Sequence, residues 1–145
     1  MKRLFTGAAL TVAFAAGFMA HGWMPIETVA QAQSNRVFEL RTYTAAEGKL
    51  QPLSDRFRDH TMALFKKHDM ESIGYFIPQD DPAKQNTLVY LIAHKDREAS
   101  KKNWADFLAD PEWRKVSAES EANGRLIAGM PMTVYLDPTT YSPLK

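Results

Sequence analysis

The sequence predicts a single α+β domain in which four antiparallel strands form one sheet and helices cover one of its faces. Three observations support this prediction. Four short segments are rich in β-branched and aromatic residues, and two longer regions space their apolar residues three or four apart, as an amphipathic helix does. The composition, with 45% hydrophobic and 24% charged residues, is that of one globular domain.

The first strand and the first helix are predicted near the start of the domain. Residues 37–43 alternate in character, which indicates a strand with two different faces. From Leu50 onward, apolar side chains recur every three or four residues, and this spacing predicts a long amphipathic helix over residues 49–67. Pro52 falls in the first turn of that helix, where its missing N–H leaves no hydrogen bond unmade.

Two further strands follow this helix. Residues 73–77 form the second predicted strand, which Pro78 ends. Residues 87–94 show the strongest strand pattern in the chain, because β-branched and aromatic residues follow one another almost without interruption. A continuous apolar run indicates a strand that is buried on both faces, so the third strand is predicted at the centre of the sheet.

Helical segments precede the last strand. Residues 97–108 are predicted to form a helix. A further helix is predicted to begin at Pro111, with Asp110 as its N-cap, and to continue to Gly129. Residues 132–136 then form the last predicted strand.

The resulting order β-α-β-β-α-β is that of the ferredoxin-like fold, in which one face of the sheet carries the helices. Alternation along the third strand gives each face its own apolar set, with Leu88, Tyr90, Ile92 and His94 on one side and Val89 and Leu91 on the other. An apolar face that no helix covers needs another partner. We therefore expect two copies of the chain to pack sheet to sheet, as a homodimer that forms a dimeric α/β barrel.

Residues 1–32 have the pattern of a cleavable secretory signal peptide. Lys2 and Arg3 supply positive charge, and residues 7–20 form an apolar run without a charge. Ala30-Gln31-Ala32 supplies the small-x-small pattern that a signal peptidase recognises. The protein is therefore expected to be exported, to the periplasm or to the medium.

The domain that remains, residues 33–145, is formally neutral, because Lys2, Arg3 and Glu27 leave with the signal peptide. A neutral domain offers no basic surface for nucleic acid. The alternative to cleavage is that residues 4–24 remain as a membrane anchor, since about 20 apolar residues suffice to span a bilayer. After cleavage, no stable membrane span is predicted.

No metal or cofactor is predicted. The chain has no cysteine, which excludes a disulfide framework, a thiol nucleophile and an iron–sulfur cluster. His60 and His68 lie about two helical turns apart, too far to chelate one ion without help. The sequence also contains no Gly-x-Ser-x-Gly elbow and no glycine-rich phosphate loop.

Histidine is the residue type best suited to act as a general base near neutral pH, and two histidines are candidates for that role. His94 ends the third strand on the same face as Tyr90, and His60 lies one helical turn from Phe57. Arg41, on the first strand, is the candidate anchor for an anionic group of a substrate.

Aromatic hydroxyl groups are candidates for contacts with a ligand. The predicted ligand-binding residues are Arg41, Tyr43, Tyr75 and Tyr90. The alternative is that these residues are structural, in that Arg41 and Glu39 pair with neighbours on one strand face while the tyrosines bury their rings. The sequence leaves both interpretations open.

Trp104 and Trp113 present the same choice between ligand contact and core. Each ring is large enough to stack on a ligand. Their helical spacing with Phe107 and Val116 favours a place in the core.

Four segments form an informative ordered set. Phe38-Glu39-Leu40-Arg41-Thr42-Tyr43 is followed by Gly48-Lys49-Leu50, then by Asn86-Thr87-Leu88-Val89-Tyr90-Leu91, and finally by Leu108-Ala109-Asp110-Pro111-Glu112-Trp113. This set resembles the NIPSNAP family over essentially the whole mature domain. The resemblance implies a dimeric α/β-barrel relative of small-ligand-binding proteins and cofactor-free monooxygenases, in a family with no agreed biochemical activity. The export signal departs from the better-known members, which are intracellular.

Three functional hypotheses follow. The first is an exported homodimeric module whose apolar, tyrosine-lined barrel interior binds a small, largely apolar molecule, because the third strand is apolar on both faces and the domain is neutral. The alternative is a cofactor-independent enzyme, monooxygenase-like or isomerase-like, with His94 or His60 as base and Arg41 as anion anchor. A structural role in an envelope complex is the third.

Overall fold

One four-stranded antiparallel sheet forms the centre of the computed structural model, which describes residues 36–145. The strands are β1 Val37–Thr44, β2 Glu71–Phe76, β3 Thr87–His94 and β4 Met132–Leu136. Their order across the sheet is β2-β3-β1-β4, and all neighbouring strands are antiparallel. This confirms the predicted ferredoxin-like α+β fold, with β3 inside the sheet. The predicted signal peptide, residues 1–32, lies outside the described residues and stays a prediction.

The long helix predicted over residues 49–67 forms, and it contains a π-helical turn. Helix α1 Leu50–Arg56 continues through the π turn Phe57–Thr61 into helix α2 Met62–Lys67. In the π turn, the N–H of Met62 donates to the carbonyl of Phe57, and the hydroxyl of Thr61 donates to the carbonyl of Arg56 over 3.2 Å. Single π turns inside helices are frequent at functional sites, which makes this turn a candidate part of a functional site.

Two helices, α3 Arg97–Ala109 and α4 Pro111–Ser120, precede the last strand, and each begins with an aspartate cap. The carboxylate of Asp96 accepts from the N–H of Ala99 over 2.7 Å, and that of Asp110 accepts from the N–H of Glu112 over 2.8 Å. The predicted N-cap at Asp110, with proline in the first turn, is therefore confirmed.

The prediction that this last helix continues to Gly129 is wrong, because α4 ends at Ser120. Gly124 lies at φ +102°, a conformation that side-chain-bearing residues rarely adopt, so the chain turns there. Beyond the turn, the carbonyl of Leu126 accepts from the N–H of Ala46 over 2.9 Å. Leu126 is buried, so pairing with the end of β1 and burial together outweigh helix formation in this segment.

Strand register gives the two faces of the sheet different side chains. Directly opposite residues of an antiparallel pair share a face, and the face alternates along each strand. On the helix-covered face, Glu39 lies opposite Ile92 and Tyr135. Tyr43, Tyr90 and Leu88 of this face pack against Leu53, Phe57 and other apolar residues of the helices. Together these side chains form the core.

The other side, called here the open sheet face, is defined by three rows of opposite residues: Phe38, Ala93 and Leu136; Leu40, Leu91 and Val134; and Thr42, Val89 and Met132. Phe76 of β2 lies opposite Val89 and extends the third row. The exposed fractions are 59% for Phe76, 63% for Met132, 44% for Val134 and 39% for Leu136. The edge strand and β2 thus present large apolar side chains to solvent.

Within residues 36–145, no helix is long and apolar enough to cross a membrane. Among the same residues, no group of three or more His, Asp or Glu side chains is arranged to hold a metal ion.

Candidate functional site

A buried carboxylate, that of Glu39, lies at the centre of a polar cluster under helix α3. Glu39 is 0% exposed. It accepts from Trp104 Nε1 over 2.7 Å and from Arg41 Nη1 over 3.1 Å. Ser100 Oγ donates to it over 3.3 Å, and His94 Nε2 lies 2.9 Å from the same carboxylate. These five residues are called the Glu39 cluster.

Local sequence patterns bring the cluster together. Glu39 and Arg41 are two residues apart on β1, so their side chains leave the same face of the strand. Ser100 and Trp104 are four residues apart on α3, so they lie on one side of that helix. His94, at the end of β3, completes the set from the neighbouring strand.

The environment of Glu39 keeps it ionised. Burial by itself raises the pKa of a carboxyl group, but the hydrogen bonds from His94 and Trp104 and the charge of Arg41 outweigh it, so the pKa of Glu39 lies below its ordinary value. Because an ionised carboxylate only accepts, His94 Nε2 carries the proton in their hydrogen bond. The pKa of Arg41 is raised in spite of burial, chiefly by Tyr90, Tyr43 and Glu39.

A partly enclosed cavity lies between the end of β1 and the helices. Its volume is about 60 Å³, and it is lined by Tyr43, Arg56, Phe57, Thr61, Phe65, Trp104, Phe107, Trp113 and Ile127. This space is called the aromatic cavity, because most of its wall consists of rings. Both residues that bound the π turn, Phe57 and Thr61, belong to the wall.

Arginine side chains stack on both tryptophans of the wall. The guanidinium of Arg41 lies 4.1 Å from the ring centre of Trp104, and that of Arg56 lies 5.2 Å from the ring centre of Trp113. Arg56 is 5% exposed and forms an ion pair of 3.2 Å with Glu121. The site therefore combines an apolar interior with cations that are already paired.

Three buried nitrogen atoms have no hydrogen-bond partner among the described residues. They are Nδ1 of His94, Nε of Arg41 and Nε of Arg56. A buried donor or acceptor without a partner costs about 1–3 kcal/mol, so natural proteins tolerate few of them. All three belong to the Glu39 cluster or to the wall of the aromatic cavity.

The structure places two of the four predicted ligand-binding residues at this site and two in the aromatic core. Arg41 belongs to the Glu39 cluster, and Tyr43 lines the aromatic cavity. Tyr90 is 0% exposed, and its hydroxyl donates to that of Tyr43 over 2.9 Å. The ring of Tyr75 stacks on that of Tyr90, and its hydroxyl forms a hydrogen bond with the hydroxyl of Ser72. Tyr75 also lines a separate open groove beside the end of β2.

The two predicted bases lie in different environments. His94 is buried in the Glu39 cluster. His60 is exposed and lines an open groove between the π turn and α4, together with Asp59 and Glu119. The structure therefore brings His94 and Arg41 together around Glu39, without His60.

Sequence reasoning missed the central role of Glu39 and the presence of Arg56 in the cavity wall. The predicted position of Trp104 against the core is confirmed, and its N–H in addition donates to the carboxylate of Glu39. A signal was available for Arg56, because it follows Leu53 by three residues and so lies on the buried side of an amphipathic helix. A charged residue at such a position needs buried partners, and it finds Ser120 and Glu121.

The fold and this site define a ferredoxin-like α+β domain with a buried acid–base cluster beside an aromatic cavity. The NIPSNAP family model matches residues 38–143, and the chain belongs to the NIPSNAP family. No curated protein matches the chain.

Solved structures show the same fold. A NIPSNAP-like domain protein from Burkholderia xenovorans is similar with a TM-score of 0.65 and 24% identity, over 76% of this chain and 90% of that one. A NIPSNAP family protein from Agrobacterium tumefaciens has the same TM-score and identity, over 77% and 96%. A monooxygenase from Streptomyces coelicolor, in complex with nanaomycin D, has a TM-score of 0.53 and 14% identity, over 75% and 92%.

Proposed function

We propose that the protein is an exported homodimer that binds a small, largely apolar molecule at the aromatic cavity. The observation that carries the proposal is the wall of that cavity, where six aromatic side chains from strand and helices surround a buried arginine whose Nε has no hydrogen-bond partner among residues 36–145. Ligand sites are typically apolar with a small number of convergent polar groups, and this wall has that composition.

The size of the cavity restricts how a ligand binds. About 60 Å³ is far below the roughly 300–1,000 Å³ of a drug-sized ligand pocket, so only one end of a larger molecule fits inside. Trp104, Trp113 and Ile127 are the partly exposed members of the wall. The rest of the ligand therefore lies against these three side chains.

The dimer is supported by the open sheet face. Four of its large apolar side chains, Phe76, Met132, Val134 and Leu136, are more than one third exposed, whereas Phe38 is buried. Full burial of one such side chain is worth about 1.5–3 kcal/mol, so a second copy of the same face is a favourable cover. Export is supported by the pattern of residues 1–32.

Ligand binding is tested by titrating the purified protein with a set of small hydrophobic compounds. A ligand that binds the folded state raises the melting temperature, and a ligand against Trp104 or Trp113 changes tryptophan fluorescence. The variant Ile127→Trp narrows the exposed side of the cavity and is expected to abolish both responses. Ile77→Trp, in the separate groove beside β2, is the matched control and is expected to keep them. A set without any thermal shift contradicts the proposal.

A second candidate is a cofactor-independent enzyme, monooxygenase-like or isomerase-like. The observation that favours it is the His94–Glu39 pair, in which a carboxylate orients an imidazole while the other ring nitrogen, Nδ1, has no partner among the described residues. The Streptomyces coelicolor monooxygenase has the same fold. His94 is 1% exposed, so a substrate reaches it only after a neighbouring side chain moves.

The enzyme candidate is tested by product analysis with compounds that bind. His94→Ala and Arg41→Ala are expected to stop turnover, the first through loss of the base and the second through loss of the anion anchor. His60→Ala decides between the two predicted bases. Unchanged turnover in all three variants rules out this assignment.

A further inference from the structure

The wall of the aromatic cavity carries two hydrogen-bond donors that lack an acceptor within residues 36–145. The first is Nε of Arg56, an atom without solvent contact on a side chain that is 4% exposed. The second is the hydroxyl of Tyr43, whose oxygen accepts from Tyr90 and whose proton reaches no acceptor in this part of the chain. Both residues line the cavity.

Two other polar groups of the wall, those of Thr61 and Trp104, are already engaged as donors. The hydroxyl of Thr61 donates to the carbonyl of Arg56, and Nε1 of Trp104 donates to Glu39. A group that satisfies Arg56 Nε and the proton of the Tyr43 hydroxyl together must therefore bring an acceptor, because Arg56 Nε finds no acceptor among residues 36–145, the oxygen of Tyr43 included.

Charge decides which kind of acceptor fits. Arg56 is paired with Glu121 over 3.2 Å, and Arg41, which stacks on the cavity residue Trp104, is paired with Glu39 over 3.1 Å. Each nearby guanidinium thus already has a carboxylate. A ligand carboxylate would add a buried negative charge without a countercharge, which is far more costly than burying a hydrogen-bonded neutral oxygen.

We propose that the aromatic cavity binds the carbonyl end of a neutral, mainly apolar molecule, with Arg56 Nε and the Tyr43 hydroxyl as the two donors. The proposal rests on the function proposed above and names the class of its ligand, a ketone, aldehyde or amide. The volume agrees with this, since about 60 Å³ has room for one end of a ligand such as a carbonyl group and not for a whole drug-sized molecule.

The experiment compares three probes of nearly the same shape. Acetophenone carries a neutral carbonyl, cumene has no acceptor, and benzoate carries a carboxylate. Their dissociation constants are measured with the full-length protein by ligand-observed NMR, with the melting temperature as a second readout. We expect acetophenone to bind about tenfold more tightly than cumene, the effect of satisfying buried donors, and more tightly than benzoate.

Variants of both donors assign the preference to this site. Arg56→Lys keeps the charge that faces Glu121 and loses Nε, so the preference for acetophenone over cumene is expected to disappear. If this variant does not fold, Tyr43→Phe provides the same test with a smaller change. Its matched control is Tyr90→Phe, which breaks the same tyrosine–tyrosine hydrogen bond but keeps the Tyr43 hydroxyl, and which is expected to keep the preference.

Each outcome has one meaning. Equal binding of acetophenone and cumene overturns the carbonyl assignment, because the carbonyl then gains nothing from the two donors. The proposed function, binding of an apolar ligand, stands in that case. Tightest binding of benzoate overturns it in favour of an anion site. If none of the three probes binds, both this proposal and the ligand-binding function fall.

Discussion

The helix-covered face of the sheet buries charged side chains, whereas the open sheet face exposes apolar ones, although the same strands build both. On the covered face, Glu39 and Arg41 are held by each other and by groups from helix α3. On the open face, Val134 and Met132 of the edge strand remain exposed.

The comparison shows that burial depends on the available partner more than on residue type. A buried charge is tolerated where hydrogen bonds and an opposite charge surround it. An apolar side chain stays exposed where no element of its own chain can reach it, and it then favours association with another surface. The following changes test this difference between the faces, from the largest expected effect to the smallest.

Removal of the carboxylate of Glu39 should destabilise the helix-covered face of the sheet. Glu39→Ala leaves Arg41, whose side chain is only 16% exposed, without its carboxylate and Trp104 Nε1 without an acceptor. We expect a loss of about 3–5 kcal/mol in the free energy of unfolding, measured by urea denaturation. Glu71→Gln, at an exposed carboxylate on β2 that pairs with Arg36, should change this free energy by less than about 0.5 kcal/mol. If the two changes lower the free energy of unfolding equally, the Glu39 cluster contributes no more to stability than an exposed ion pair does.

A charge on the open face should break the dimer and leave the protomer folded. Val134→Asp places a carboxylate opposite Leu40, and in a dimer that carboxylate would be buried without a partner. We expect the dissociation constant to rise at least about a hundredfold, the equivalent of about 2.7 kcal/mol, in sedimentation equilibrium. Thr133→Asp is the control, because Thr133 is exposed and lies one residue away on the other face. A monomeric wild-type protein at high concentration, or a dimer unaffected by Val134→Asp, contradicts the dimer proposal.

The two faces should also differ in their response to acid. The pKa of Glu39 is lowered in the folded state, so its ionised form contributes stability that is complete above the unfolded value, about 4.5, and is lost as the pH falls through the lower folded value. The difference in unfolding free energy between wild type and Glu39→Gln should therefore shrink as the pH falls from 7 to 3. The three rows of the open sheet face contain no ionisable side chain. The difference in unfolding free energy between wild type and Val134→Thr should therefore stay nearly constant over the same pH range. Denaturation curves across this pH range decide the point.

The smallest expected effect comes from a polar atom in the open face. Thr42 lies opposite Val89 and Met132. Thr42→Val keeps the shape and removes the hydroxyl, so dimer affinity should rise about two- to fivefold, as expected when less than about 1 kcal/mol of desolvation is avoided. Thr133→Val, on the opposite face, should leave the affinity unchanged. An unchanged affinity for Thr42→Val would place this residue outside the interface.

Local patterns predicted the fold well because each depends on neighbouring residues. The apolar run of residues 87–94 and the final strand at residues 132–136 occur with the predicted bounds, and Asp110 caps its helix as predicted. The end of α4 was missed because pairing of Leu126 with the end of β1 is a contact between distant segments. Periodicity contains no information about such a contact.

The candidate site was predictable only in part. His94 and Arg41 were identified from residue type and strand position, and the structure brings them to one carboxylate. Their grouping with Trp104, and the separation of His60 from them, depend on how α3 and the long helix pack on the sheet. Arg56 was overlooked because its partners, Ser120 and Glu121, are more than sixty positions away in the chain.

The sequence by itself determined the family, the order of strands and helices, and the alternation that separates the two faces, because these follow from local chemistry and spacing. Tertiary structure alone decided that Glu39 is the centre of the polar cluster and that Tyr43 and Arg56 line one cavity, where Arg56 Nε has no partner among residues 36–145. The physical reason is that burial, hydrogen-bond partners and the enclosed volume depend on segments that meet only in the folded chain.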